Sequence, residues 1–504
     1  MLNNIQGKKN TRLPVFISFL LLSLCGCSSP ELPITENKEG VSATESQQSI
    51  AEKNVSSDSL HLTDEAIQGF PEPQTKGQII SSGPDEKTGL YKWTLENGVD
   101  VWFKRMPEAK KKVYIRYTAK GGNLLLPPEL KPAFDFTIET FMRSGLAHFD
   151  AVQLNNYLTE KKTFLRPEIY SNQRTLAVTT NQDNLLTAFS SLHQAATTAK
   201  VDPSQFKAIR HNIINQRQSY LTTPFSRYVQ ALNTTLYGES NPLQLATVEQ
   251  LKNATADQVD QVYQLSFRQQ DSFKLIIVAD MQPEVFEPYL QQYIANISYN
   301  PGVKSRQKVE LLTDQSHVVL KANDQPTTVS DVLFSSVASA RMTTEHLFSY
   351  HLISKMLAKR LSNRLNGKIC QDTPPTVGIV TPEATNVATL YFNITTAPED
   401  KPKVDSAIND VLSESEKGFT EEELNIAKAQ LLTELDKEVN NPKSQAFVLM
   451  YYLASGYDVN AYYHPKAFLH RLTTEKVHKI YTELTGKHAH RLDASLTPKE
   501  KSLN

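Results

Sequence analysis

Two stretches far apart in this 504-residue chain open helices in the same way. Asp202-Pro203-Ser204-Gln205 and Thr420-Glu421-Glu422-Glu423 each place a capping side chain three positions ahead of a Gln or Glu, the pattern of a capping box. Behind these starts, Phe206, Ile209 and Ile213 in one stretch, and Leu424, Ala427, Leu431 and Leu435 in the other, keep an apolar face at helical spacing. A unit that recurs after roughly 210 residues is far longer than a solenoid repeat and has the size of a whole domain. The chain is therefore expected to hold two similar α+β domains in tandem, 89–299 and 300–498, each a mainly antiparallel sheet covered by helices on one side.

The order of elements within the two stretches agrees. In YKWTLENGVDVWFKR, residues 91–105, two apolar runs flank Asn97-Gly98, which accepts the positive φ of a tight hairpin turn. KKVYIRYTAKGG supplies a further strand, and helical periodicity follows at 131–143, 151–160, 183–198 and 203–220. SFKLIIVAD reads as a buried strand and 282–296 as a closing helix. Past Pro301 and Gly302 come two strands, a long helix at 343–364, the strand-rich TPEATNVATLYFNITTAPE, and helices at 403–416, 420–438 and 442–455.

What precedes the first domain is different in kind. Lys8, Lys9 and Arg12 lead into LPVFISFLLLSL, an uncharged apolar run of 12 residues that is shorter than the roughly 20 needed to span a bilayer. It fits the n-region and h-region of a secretory signal. Its end, Leu24-Cys25-Gly26-Cys27, resembles the lipobox of bacterial lipoproteins, which implies cleavage before Cys27 and lipidation of its side chain. Ser28 stands where an inner-membrane retention signal would show Asp, so the resemblance implies the outer membrane, with the folded part facing the periplasm. Residues 28–88 are rich in Ser, Glu, Pro, Asn and Gln and too poor in bulky apolar residues to order themselves, and they read as a tether. Once Cys25 is removed and Cys27 acylated, Cys370 is left alone, so no internal disulfide is expected. With 53 basic and 54 acidic residues mixed along the chain, nothing favours a nucleic-acid partner.

The succession WTLENGVDVWFKR, KVYIRYTAKGGN and a helix ending near RSGLAHFDAVQLNNYL resembles a domain of the insulinase/pitrilysin family of zinc metallopeptidases. The second domain repeats that order, so the resemblance covers about residues 89 to 495. The lead-in GFPEPQTKGQI is similar to the linker that opens the C-terminal, non-catalytic half of the long bacterial members. In catalytic halves of that family the first helix carries His-x-x-Glu-His. Two histidines at i and i+4 share a helical face and bind Zn²⁺, and the Glu between them serves as general base. On this chain the histidine positions become Phe134 and Ile138 and the glutamate position Thr137, and residues 123–147 contain no histidine at all. No catalytic residue and no metal ligand are therefore assigned, which argues against an enzyme. Phe134, Phe136 and Ile138 are expected to turn the metal pocket into core.

Other histidines fail by spacing. After His148 the motif would need Glu and His where Ala151 and Val152 stand; Glu345-His346 has Met342 in place of a partner histidine; His346 and His351 point to different helical faces. His488 and His490 alternate on a terminal strand and could form only a surface chelate. The resemblance also implies an Arg and a downstream Tyr reaching toward substrate from the other domain. The matching stretch, RLSNRLNGKICQDTPPTVG, has Arg360 and Arg364 on the helix, Asn366-Gly367-Lys368 at its end and no Tyr. Arg364 then reads as a solvated helix charge and Lys368 as a charge favoured by the macrodipole. Tyr451, Tyr452, Tyr462 and Tyr463 could form a contact patch for peptide, though their spacing suits packing better.

The family builds a chamber from two halves that close around a peptide, and this chain supplies one half. The function expected is a non-catalytic subunit that pairs with a separately encoded, ligand-bearing catalytic subunit in the periplasm, with zinc only in that partner. The alternatives are a membrane-tethered peptide- or protein-binding scaffold and an autonomous zinc endopeptidase.

Overall fold

The computed structural model describes residues 69–170, 173–269, 273–300, 310–312, 316–337, 342–365, 369, 374–381 and 387–499. The signal segment, Cys27, Cys370, Lys368 and most of the expected tether lie outside these residues. The first half runs β1 (Ile79–Pro84), β2 (Tyr91–Leu95), β3 (Asp100–Arg105), β4 (Lys112–Lys120), α1 (Lys131–Ser144), α2 (Ala151–Glu160), β5 (Phe164–Ile169) and β6 (Gln173–Asn181). It continues with α3 (Leu185–Thr197), α4 (Pro203–Thr222), α5 (Pro224–Tyr237), α6 (Val248–Asn253), α7 (Ala256–Phe267) and β7 (Lys274–Ala279). The second half holds β8 (Ser316–Asn323), β9 (Thr328–Val337), α8 (Thr344–Leu365), β10 (Thr376–Val380), β11 (Val387–Thr396), α9 (Lys401–Glu416), α10 (Glu421–Val439), α11 (Pro442–Ser455), α12 (Val459–Tyr463), α13 (Pro465–His470), α14 (Thr474–Thr485) and β12 (His490–Pro498).

The seven strands of the first sheet lie in the order β1-β2-β3-β7-β4-β6-β5, and the five of the second in the order β10-β11-β9-β12-β8. Each sheet has one parallel pair, β3 with β7 and β12 with β8; the other pairs are antiparallel. The Asn97-Gly98 turn forms as read, with Gly98 at φ 83 and Asn97 Nδ2 donating to the carbonyl of Ile294. Of the two repeated helix starts, Thr420 and Glu423 make the full capping box at α10. At α4 only the cap forms: Asp202 accepts from the Ser204 amide, and no reciprocal bond from Gln205 completes it.

The expectation of helices on one side of each sheet needs correction. Val113, Ile115, Tyr117, Leu176, Val178, Leu275 and Ile277 face Phe189 and Leu192 of α3 in one buried cluster. The alternate residues of β7, Ile276 and Val278, point the other way and are covered by Ala446, Leu449 and Met450 of α11, a helix of the second half. The second sheet receives the reverse loan: Tyr228, Leu232 and Leu236 of α5 cover Leu333, Leu492 and Leu496. Both lent helices follow a repeat helix and start alike, with Pro at the first turn behind a capping Thr223 or Asn441. Each fully buried aliphatic side chain in such a contact stabilises the fold by about 1.5–3 kcal/mol. The exchange makes both sheets part of one compact unit.

The last part of the stretch expected to be a tether is folded. Residues 70–88 belong to the folded body: Phe70 lies edge-on to Phe149 and Tyr157, and β1 pairs with β2. Distant amides pin the segment between them, Gln194 on the Pro71 carbonyl, Gln292 on that of Pro73 and Asn296 on that of Thr75.

Candidate functional site

The helix onto which the resemblance places the family's metal motif is α1. Pro132 in its first turn lacks an N–H that would have no helical partner. Gly145 ends it at φ 80, where a Cβ would collide with the Phe149 carbonyl. The stripe it buries is Ala133, Phe136, Thr137, Thr140 and Phe141. Phe136 meets Phe206 of α4 edge-on at 5.2 Å, and Phe141 stacks on Tyr263 of α7 at 4.5 Å.

Phe134 and Ile138 sit on the flank of that stripe and are only half-buried. Of 134, 136 and 138, Phe136 is fully buried in the core, Phe134 packs partly buried against the same cluster, and Ile138 is not part of it. Successive residues turn about 100° around a helix axis, so alternate residues cannot share one face. Thr137 is fully buried, and its hydroxyl donates to the Ala133 carbonyl at 3.0 Å. Phe134 and Ile138 offer no nitrogen or oxygen to a metal, and the one oxygen at Thr137 is turned into the core. The residues of α1 do not fit zinc. Among the described residues no group of three or more His, Cys, Asp or Glu is placed to hold a metal ion.

In its place α1 carries an ion pair that motif reading passed over. Asp135 Oδ2 lies 2.8 Å from Arg217 Nη2 of α4, with the two side chains 7% and 6% exposed. Arg217 Nη1 also donates to the Ala246 carbonyl at 2.8 Å, so one guanidinium ties α1, α4 and the segment before α6 together. Taking two charges out of water costs several kcal/mol per ion, and close pairing with further hydrogen bonds offsets that cost. The sequence signal was an Asp between Phe134 and Phe136; its partner, 82 positions on, had no signal.

The remaining sequence candidates are placed as follows. His148 is exposed in the turn after α1. His346 Nδ1 bonds Thr343 Oγ1 at 2.8 Å at the start of α8, and its Nε2 lies 3.7 Å from Glu483. His488 precedes β12 and is exposed, whereas His490 is buried on it with Nδ1 against the Leu312 carbonyl, so the two do not form a surface pair. Arg360 is buried and bidentate to Glu423 at 2.6 and 2.8 Å, with further bonds to Ser415 and Gly418. That hydrogen bonding holds the Glu423 carboxyl below its ordinary value. Arg364 pairs with Glu414 and Asp410 at the surface.

The four tyrosines lie in the junction between the halves. Tyr452 and Tyr462 are buried against the first sheet, and Tyr451 and Tyr463 pack at the edge of the same cluster. Lys104 of β3 reaches into it, with Nζ 3.7 Å from the Tyr463 ring centre and 2.9 Å from Gln445 Oε1. Burial lowers the Lys104 pKa to about 8, with Glu108 opposing that shift.

Residues 253–431 match the family model described as the peptidase M16 inactive domain. The fold is similar to that of the periplasmic protease PqqL from Escherichia coli, at 18% identity and a TM-score of 0.76, over 90% of this chain and 50% of that one. It is also similar to the ferredoxin protease FusC, solved with Arabidopsis ferredoxin, at 18% identity and a TM-score of 0.71, over 91% of this chain and 50% of that one. A peptidase M16 inactive domain from Pseudomonas fluorescens is matched over its whole length and 82% of this chain, at 15% identity and a TM-score of 0.68. No curated protein sequence matches the chain. The chain spans about half the length of PqqL and FusC. Its fold is that of the M16 peptidases, and its residues 253–431 match the model of their inactive domain.

Proposed function

We propose that this chain is the non-catalytic subunit of a periplasmic M16 peptidase and pairs with a separate ligand-bearing subunit to enclose peptide substrates. The observation that carries this reading is α1: an M16 fold whose motif positions are Phe134, Thr137 and Ile138, with the apolar Phe136 stripe and the Asp135–Arg217 pair holding the helix in place. The likeness over 50% of PqqL's length agrees with it. On this reading zinc belongs to the partner alone, and Cys27 carries the lipid that holds the subunit at the outer membrane, facing the periplasm.

The test is turnover of a fluorogenic peptide library by the purified full chain in the presence of zinc. The isolated chain gives none, and activity appears when a co-isolated His-x-x-Glu-His subunit is added. Turnover by the isolated chain that a chelator abolishes would overturn the proposal.

A further inference from the structure

On the face of the first sheet turned away from α3, two arginines stand in one row. Arg116 of β4 and Arg166 of β5 are both registered opposite Ala177 of β6, the strand between them. Cross-strand neighbours point to the same face, and strands about 4.8 Å apart set the two arginine backbones about 10 Å apart. Ala177 between them is 5% exposed and carries only a methyl group.

Arg116 is only 8% exposed. Its Nη1 donates to the carbonyls of Ile115 at 3.0 Å and Val178 at 3.5 Å, and among the described residues no carboxylate comes within ion-pair distance. A buried cation normally has a carboxylate partner because its desolvation is otherwise uncompensated. Burial pulls the pKa of Arg116 below the ordinary guanidinium value, and Glu168 is the acid that most opposes this. Glu168 is engaged by the Tyr170 hydroxyl at 3.1 Å. Arg166 is exposed and, among the described residues, makes no hydrogen bond or ion pair. β5 is the edge strand of the sheet, and Phe164 stands 49% exposed two residues before Arg166.

We propose that Arg116 and Arg166 form a carboxylate site across Ala177, which takes an acidic side chain of an extended peptide laid along the β5 edge. Two guanidiniums supply forked donors to the carboxylate, the main chain of the edge strand supplies the peptide hydrogen bonds except at Pro167, which has no N–H, and Phe164 offers an apolar contact one step along. The proposal rests on the peptide-chamber reading for its occupant. The site itself belongs to this chain alone.

The experiment is fluorescence anisotropy on the full chain with labelled six-residue peptides of alternating Val and Glu, acetylated and amidated at their ends. The Gln counterpart and a Gln peptide with a free carboxyl terminus serve as comparisons. The Glu peptide binds about tenfold more tightly than the amidated Gln peptide at low salt, and added salt narrows the gap. Arg166→Gln, a surface change, removes the preference, and Arg364→Gln, on another face, leaves it intact. Equal binding of the Glu and Gln peptides, a preference that survives Arg166→Gln, or binding of the free-carboxyl peptide alone would overturn the assignment. A Glu preference in a chain that recovers no catalytic partner keeps the site and rejects the pairing; recovery of a partner with no Glu preference does the opposite.

Discussion

The hydroxyl of Tyr228, on α5 of the first half, donates a 2.7 Å hydrogen bond to the Asp331 carboxylate on β9 of the second. Asn393 adds a second donor at 2.8 Å. Asp331 is 7% exposed, and burial holds its carboxyl above the ordinary range while both hydrogen bonds oppose that shift. The junction between the halves is therefore fastened by a buried acid with neutral donors.

The acid makes this junction pH-dependent. A carboxyl whose folded-state pKa exceeds its unfolded value contributes most below the unfolded pKa, and that contribution is lost as pH rises through the folded one. The stability of the native chain relative to Asp331→Asn should fall as pH rises above about 4. Tyr228→Phe should cost about 1–3 kcal/mol, since the buried Asp331 oxygen loses a donor. Urea midpoints measured across this range check both; parallel profiles for native and Asp331→Asn chains contradict the first.

Arg217→Met should be severe. It leaves Asp135 buried without its cation, at a cost of about 3–5 kcal/mol. The double variant Asp135→Leu with Arg217→Met should recover most of that loss, because no uncompensated charge remains. Chemical denaturation of the three variants decides it.

Lys104 predicts the opposite pH trend. Its folded-state pKa, about 8, lies below the ordinary 10.5. Between those values the unfolded chain binds more protons than the folded one, so stability rises with pH through that window. Lys104→Met should flatten the rise in denaturation profiles, and an unchanged slope would count against the burial seen at Tyr463.

Met450 of α11 is fully buried in a cluster with the first sheet. Met450→Ala should cost about 2–5 kcal/mol and lower the unfolding of both halves together. Two calorimetric transitions, with only the second half shifted, would show that the helix exchange does not couple them.

Much of this was legible in sequence. α1, α2 and α4 showed themselves through periodicity, and the strands on either side of Asn97-Gly98 through their turn. The helix α5 was not separated out, because Pro224 starts it directly after α4, and periodicity says nothing about which sheet a helix will cover. β1 was lost in the tether because IISSGP is mostly exposed and owes its place to pairing with β2 and to amides such as Gln292, remote in sequence. At the candidate site, the stripe of α1 that carries Phe136 was legible from its spacing. The Asp135–Arg217 pair and the Arg116–Ala177–Arg166 row exist only through long-range packing and strand register, which a single sequence does not display.

The pairing of this chain with a catalytic half is tested most directly by affinity isolation of the intact chain from gently solubilised envelopes, with mass spectrometry of whatever is recovered in near-equal amount. The account predicts a stoichiometric partner that carries His-x-x-Glu-His. Recovery of the chain alone, or with only unrelated envelope proteins, would contradict it.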